Sequence, residues 1–274
     1  LKSSLALSAQ DRPAELCALD EAREAAPGWT ATASGSVYSF YVDRLADDLK
    51  GLADHIDYLS ELGVAWLHPL PLLKPREGDS DGGFAVADYR DIDPRLGTMP
   101  DLEALVRQTR ERGMGVILDV VCNHTAREHD WATKARAGDP QYKDYYITLP
   151  DPLSVQAWEA DLIDVFPTTA PGSFTWDADM GGYVWTTFYP FQWDLNYANP
   201  AVFAEMLDVL IHLAAKGVQG FRLDSAPFLW KRLGTASRNQ PQTYAIVEAW
   251  RAALNIVAPG VVLLAEAIES LDDV

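Results

Sequence analysis

The stretch Gly115-Val116-Ile117-Leu118-Asp119-Val120-Val121-Cys122-Asn123-His124 decides the fold. Its first seven residues are apolar apart from Asp119, and polar groups gather at its end. A strand that is apolar on both faces needs cover on both sides, which parallel strands flanked by helices provide. Related runs recur along the chain: Ser36–Val42, Val64–Pro69, Val218–Leu223 and Val261–Glu266. Helical spacing fills the gaps between them. Leu45, Leu49, Leu52, Ile56 and Leu59 predict one helix ending at Gly63. Further helices are predicted at 100–112 (stopped by Gly113), at 200–216 (stopped by Gly217) and at 241–257, before Pro259-Gly260. Residues 1–28 also read as helical, with Leu16, Leu19 and Arg23 among Ala and Glu.

Five strands alternating with helices give an α/β class. Five would suffice for a doubly wound sheet, whereas a (β/α)8 barrel needs eight strands in about 250 residues. Residues 122–198 break the rhythm and are dense in Trp, Tyr, Pro and Asp. They read as a long excursion after the third strand, of a length that usually shapes a site. The expected organisation is an N-terminal helical region (1–30), a first barrel portion (31–121), a loop-rich insertion (122–198) and a barrel continuation (199–274).

Composition narrows the function. The 274 residues are 48% hydrophobic and 23% charged, with a net charge of −18, as in a soluble globular chain. Such a charge repels phosphate backbones and anionic lipid, so neither nucleic acid nor a membrane is an expected partner. Two cysteines, Cys17 and Cys122, build no disulfide framework. No apolar run reaches a membrane span and the first residues lack a signal peptide's pattern, which leaves the cytoplasm as the default location. Phosphate-cradling Gly loops, His-Glu-x-x-His and paired-Cys metal motifs, and a Ser nucleophile elbow are all missing from the sequence.

Polar residues collect where the strands end, and in parallel α/β folds those ends converge on one face. Asp119, His124, Arg222, Asp224 and Glu266 are therefore expected in one pocket. Asp224 and Glu266 could run glycoside chemistry, one attacking the anomeric carbon and the other protonating the leaving oxygen. Arg222 lies two residues before Asp224 on the same strand face, where a guanidinium would hold that carboxyl ionised. Burial at the end of an apolar strand would raise Glu266 into the range of an acid. The competing reading is a structural Arg–Asp pair with a helix-capping Glu. His124 could donate to a sugar hydroxyl or be a satisfied loop histidine, and Asp119 reads as a brace. Ser80-Asp81-Gly82-Gly83-Phe84 is a tight turn whose ring could stack on a sugar or fill the core. The aromatic run Trp185–Tyr197 suits sugar faces, although part of it must plug the excursion onto the barrel. His129 and Trp131 read as surface or packing residues.

These residues resemble the α-amylase superfamily of retaining glycoside hydrolases and transglycosylases. Asp119–His124, Gly220–Asp224 and Leu264–Glu266 look like three of its four main signature regions. Ser80–Val86, Phe191–Pro200 and Ala226–Lys231 are similar to the amylosucrase and sucrose hydrolase branch. The resemblance implies a (β/α)8 barrel with an excursion after strand three, Asp224 as nucleophile and Glu266 as general acid and base. Arg222 and His124 would support the glucosyl site, Asp81 would close it, Phe84 would be its stacking platform, and Phe188 and Gln192 would line it. It implies a sucrose donor, an α-1,4-glucan acceptor or water, and no organic cofactor. Some relatives hold calcium near the residue matching Asn123, but amylosucrase-like members generally need no metal. Phe84, where amylosucrases often have Tyr, leans toward a hydrolase. A trehalose- or isomaltulose-forming isomerase fits the general motifs but fits the Ser80–Val86 and Phe191–Pro200 runs less well. A non-catalytic carbohydrate-binding relative is the reading from another class, against which stand the retained Asp224, Glu266 and Arg222. The fourth signature, a His-Asp on the seventh strand, does not occur before Val274. The chain is therefore expected to be part of a longer enzyme and, with open sheet edges, not to melt cooperatively alone; a sharp two-state transition would sink that expectation.

Overall fold

The computed structural model describes residues 8, 10, 12–26, 28–29 and 35–266. Five parallel strands form the central sheet: β1 (Val37–Tyr41), β2 (Trp66–Leu70), β3 (Gly115–Val121), β4 (Gly220–Asp224) and β5 (Val262–Ala265). Within this sheet each strand pairs with the next of the five in chain order, giving β1-β2-β3-β4-β5. A doubly wound sheet reverses direction at a switch point, and this one advances steadily, as a (β/α)8 barrel does. β3 is buried at all its positions, in keeping with its unbroken apolar run.

The covering helices are α1 (Ala14–Glu24), α2 (Leu49–Ala53), α3 (Ile56–Glu61), α4 (Met99–Glu111), α5 (Pro200–Ala215) and α6 (Pro241–Val257). Of the helical region expected at 1–28, residues 1–7, 9, 11 and 27 lie outside the described residues. α4 starts on a capping box: the Thr98 hydroxyl accepts from the Asp101 N–H, and the Asp101 carboxylate accepts from the Thr98 N–H at 3.0 Å. It buries Leu102, Leu105, Val106 and Thr109, one stripe of a 3.6-residue repeat. Asn199 caps α5, its side chain accepting from Ala201 N–H at 2.9 Å, with Pro200 at the first helical position. No described helix is long and apolar enough to cross a membrane.

Two local expectations need correction. The single helix expected over 45–62 is broken into a turn at Val42–Leu45 and the separate α2 and α3. Asp47 turns left-handed (φ 61°), and Asp48 opens a new helix by accepting the Gly51 N–H at 2.7 Å. Gly51 permits this, because a Cβ there would lie 2.3 Å from the Ala46 carbonyl oxygen. The apolar spacing cannot reveal such a break, since the restarted helices keep the same face inward. A hairpin, Leu73–Pro75 against Val86–Ile92, was not expected at all. Its long strand buries Val86, Tyr89 and Ile92 at three-residue intervals, across register shifts that erase period-two alternation.

The 122–198 excursion is tied at its own base. His124–Ala126 pairs antiparallel with Gln192–Asp194, so its two ends leave and rejoin the barrel side by side. Beyond that tie lies a three-stranded antiparallel sheet of Thr148–Leu149, Gly182–Trp185 and Phe174–Asp177. Trp185 and Trp193 are fully buried and act as the plug. His129 and Trp131 are packed against each other at 4.5 Å between ring centres and buried.

Candidate active site

The carboxyl ends of β3, β4 and β5 bring three acidic side chains onto one guanidinium. Arg222 donates to Asp119, to Asp224 at 3.1 Å and to Glu266 at 2.5 Å. Asp119 has no exposed side-chain surface and also meets His68 Nε2 at 3.1 Å, while His68 Nδ1 meets the Ser39 hydroxyl at 3.0 Å. Four neighbouring strands are thereby braced through polar side chains at one level of the sheet.

Ser225, immediately after β4, couples the two remaining carboxyls. Its hydroxyl donates to Asp224 at 2.8 Å, and its backbone N–H donates to Glu266 at 2.9 Å. This requires a left-handed backbone (φ 55°) at a non-glycine residue, a strain that clusters at functional sites. Burial pushes the Asp224 carboxyl up to about 7, reinforced by the Glu266 charge, against the pull of the Ser225 hydroxyl and Arg222. The Arg222 guanidinium favours the ionised carboxyl, as its spacing leads one to expect, but it is shared among three acids and burial works more strongly in the other direction. Glu266 is not the deeply buried acid expected from its apolar strand. Its side chain is 23% exposed, and both its oxygens accept hydrogen bonds.

A cavity of about 600 Å³ opens over this cluster, lined by Asp81, Phe84, His124, Phe188, Arg222, Asp224 and Glu266 among others. His124 is buried with Nε2 lacking a hydrogen-bond partner. Burial pushes its pKa down to about 4, so at neutral pH it is an uncharged ring able to serve a sugar hydroxyl. Phe84 presents its ring centre 6.0 Å from the Arg222 guanidinium carbon. Asp81 sits at a left-handed turn (φ 53°) followed by Gly82 and Gly83. A Cβ on Gly83 would meet Pro71 Cγ at 2.6 Å, and Gly82 takes a left-handed φ of 65°, which together explain the double glycine. Burial raises the Asp81 pKa, partly offset by a hydrogen bond from Gln192.

Gln192 is placed differently from the rest. It is fully buried behind Asp81, donating to it at 3.1 Å and accepting from Tyr189 N–H at 3.1 Å. It supports the wall and does not line the cavity.

Sequence reading missed several groups. Ile163, Asp164 and Phe166 from the excursion, with Phe228 and Arg238 after β4, complete the outer wall. Beneath that wall lies a buried ionic cluster. Lys231 Nζ reaches Asp194 at 2.6 Å, Asn123 Oδ1 at 2.9 Å and the Phe228 carbonyl at 2.5 Å. Asp194 further accepts from Asn123 at 2.9 Å, from Thr187 N–H at 2.9 Å and from the Thr187 hydroxyl at 2.6 Å. Lysine and aspartate, each embedded in an apolar and aromatic run, were the available signal, because buried charges come in pairs. The residues do not fit a calcium at Asn123, since the Lys231 ammonium takes the position beside its oxygen. Among the described residues no cluster of His, Cys, Asp and Glu could hold a metal ion.

Parallel strands in chain order, with acids converging at their carboxyl ends beneath a deep pocket, define a (β/α)-barrel enzyme domain with a carboxylate-lined site. Residues 28–274 match the family described as alpha amylase, catalytic domain, and the chain belongs to it. It is 38% identical over 230 residues to a trehalose synthase from Pimelobacter sp. (strain R48), covering 83% of this chain and 39% of that enzyme. It is 37% identical over 189 residues to a glucosylglycerate phosphorylase from Spirochaeta thermophila, covering 68% of this chain and 30% of the other. Among solved structures, the trehalulose synthase MutB from Pseudomonas mesoacidophila MX-45 superposes with a TM-score of 0.75 at 27% identity, over 88% of this chain and 45% of that one. A mutant of MutB has been solved with its substrate sucrose. The chain thus spans about two fifths of the length of such relatives. They share the α-amylase family with it and are not amylosucrases.

Proposed function

We propose that the protein carrying this chain is a retaining α-glucosyl-transferring enzyme that acts on a small α-glucoside, with sucrose as the first donor to test. Asp224 attacks the anomeric carbon to give a β-glucosyl-enzyme. Glu266 protonates the leaving oxygen and then activates the acceptor. The observation that carries this reading is a single guanidinium, Arg222, spanning both carboxyls on the cavity floor. Such bridging favours the close carboxyl spacing of about 5–5.5 Å used in retaining chemistry over the wider inverting one.

The roles follow from the environments. Asp224 and Glu266 face each other near neutral pH with less than two full charges, because Asp224 is pushed up to about 7. Near pH 7 Asp224 is therefore about half protonated, which keeps a proton available beside the leaving group. Productive binding places it on Glu266 and leaves Asp224 ionised beside Arg222. Neutral His124 and the Asp81 carboxylate address the glucosyl hydroxyls, and Phe84 faces the sugar ring.

In the amylosucrase reading, the glucosyl unit passes to an α-1,4-glucan with release of fructose; with water as acceptor the reaction is sucrose hydrolysis. Isomerisation, in which the released sugar is recaptured in a new linkage, is favoured by the likeness to trehalose and trehalulose synthases. Product analysis on the full-length enzyme separates these. Incubation with sucrose gives fructose plus glucan, fructose plus glucose, or an isomeric disaccharide, and Asp224→Asn gives none of them. Turnover that survives Asp224→Asn would overturn the assignment.

A further inference from the structure

Outside the cavity, a half-buried side chain sits at the head of a chain of contacts leading into it. Arg76 follows the Leu73–Pro75 strand and grips Glu128 through two nitrogens, at 2.8 and 3.0 Å. Its guanidinium carbon lies 4.6 Å from the Phe191 ring centre. That ring also stacks on Tyr189, with centres 5.2 Å apart and planes within 3°. Tyr189 packs on Phe166 at 5.0 Å, and Phe166 meets Phe188 at 6.1 Å. Phe166 and Phe188 are cavity wall. Phe188 also touches His124 at 5.1 Å and Phe228 at 5.5 Å, so it marks the boundary between the inner, His124 end of the cavity and its outer half.

We infer that Arg76, fixed by Glu128, is a positioning residue for the outer, leaving-group half of the sugar site, acting through Phe191 and Tyr189 on Phe166. The inference rests on the glucosyl-transfer reading of the cavity. Its physical basis is that the two links nearest Arg76 are face contacts with few alternatives, while Tyr189 meets Phe166, and Phe166 meets Phe188, as tilted ring pairs. A bidentate guanidinium–carboxylate pair holds the plane of the cation, the cation holds the plane of Phe191, and a parallel stack transmits that plane to Tyr189. The backbone joins in where the Phe191 carbonyl accepts from Arg127 N–H at 2.9 Å, next to Glu128 in sequence. The inner end of the cavity has separate supports in Arg222, Ser225 and Gln192, so Arg76 governs recognition of the second sugar ring and leaves the first largely untouched.

The test measures binding by calorimetry on the full-length enzyme, with Asp224→Asn as background to stop turnover, using glucose and maltose as probes. The variants are Arg76→Ala, Phe191→Leu and the two combined; both sites lie near the surface, and thermal melting checks that each folds. The expected result is a three- to tenfold rise in the maltose Kd for each single variant, with glucose changed less than twofold. The double variant should be no weaker than the worse single one, because both break one chain of contacts. Glu128→Gln should fall between wild type and Arg76→Ala. An unchanged maltose Kd, an equal loss for glucose, or multiplying effects in the double variant would overturn the inference. If the background protein binds neither sugar, the glucosyl-site reading itself fails, and this inference fails with it.

Discussion

The buried ionic cluster under the cavity wall offers a quantitative test. Lys231 is 4% exposed and Asp194 not at all. Replacing Lys231 with Met removes the cation and leaves the buried Asp194 charge with three remaining donors, from Asn123 and Thr187. Stranding one partner of a buried pair costs about 3–5 kcal/mol; the surviving hydrogen bonds place this site toward the lower end of that range. For a domain of this size each kcal/mol shifts Tm by about 2–4 °C. Lys231→Met should therefore lower the melting temperature by roughly 6–12 °C. Lys231→Met combined with Asp194→Asn should recover most of the loss, since neither charge then remains buried. Differential scanning fluorimetry of wild type, single and double variant in the full-length enzyme at one pH suffices. A single variant within 2 °C of wild type, or a double variant no better than the single, would refute the reasoning.

Asp224→Asn should abolish turnover and raise stability. A carboxyl raised from 3.8 to about 7 binds its proton more tightly folded than unfolded, so stability falls as pH climbs from about 4 to 7. The neutral amide escapes that loss, worth at most about 4 kcal/mol, and its melting temperature should exceed wild type's at pH 7.5 but not at pH 4.5. The same raised value predicts an alkaline limb in kcat/KM near pH 7, as the pair loses its proton. With Glu266→Gln and glucosyl fluoride, a donor needing no acid, that limb should flatten; its persistence would move the proton to another group. Gly83→Ala puts a Cβ 2.6 Å from Pro71 at φ 103°. It should raise the donor KM several-fold by shifting Asp81 and Phe84, and unchanged KM would separate the turn from the site.

Much of the barrel was legible. β3 and α6 fall at their expected bounds because β-branched apolar runs and proline or glycine stops report backbone directly. The acidic cluster was legible too, since strand order alone sends Asp119, Arg222, Asp224 and Glu266 to one face. What was not legible depends on contacts distant in sequence. The break at Asp48 is written in a side-chain cap, and Gln192 stands behind Asp81 only because a hairpin and the excursion meet there. Lys231 and Asp194, 37 residues apart, carry no local pattern that pairs them. The raised pKa of Asp224 turned first on burial and then on the facing Glu266 charge, and spacing along one strand showed only the neighbouring Arg222.

The most direct test of glucosyl transfer through Asp224 is intact-protein and peptide mass spectrometry after exposing the full-length enzyme to a slow fluorinated α-glucosyl donor. The account predicts one fluoroglucosyl unit on the peptide containing Asp224, lost when excess sugar acceptor is added. A label on another carboxylate, or turnover of the donor with no covalent species and inverted product, would contradict it.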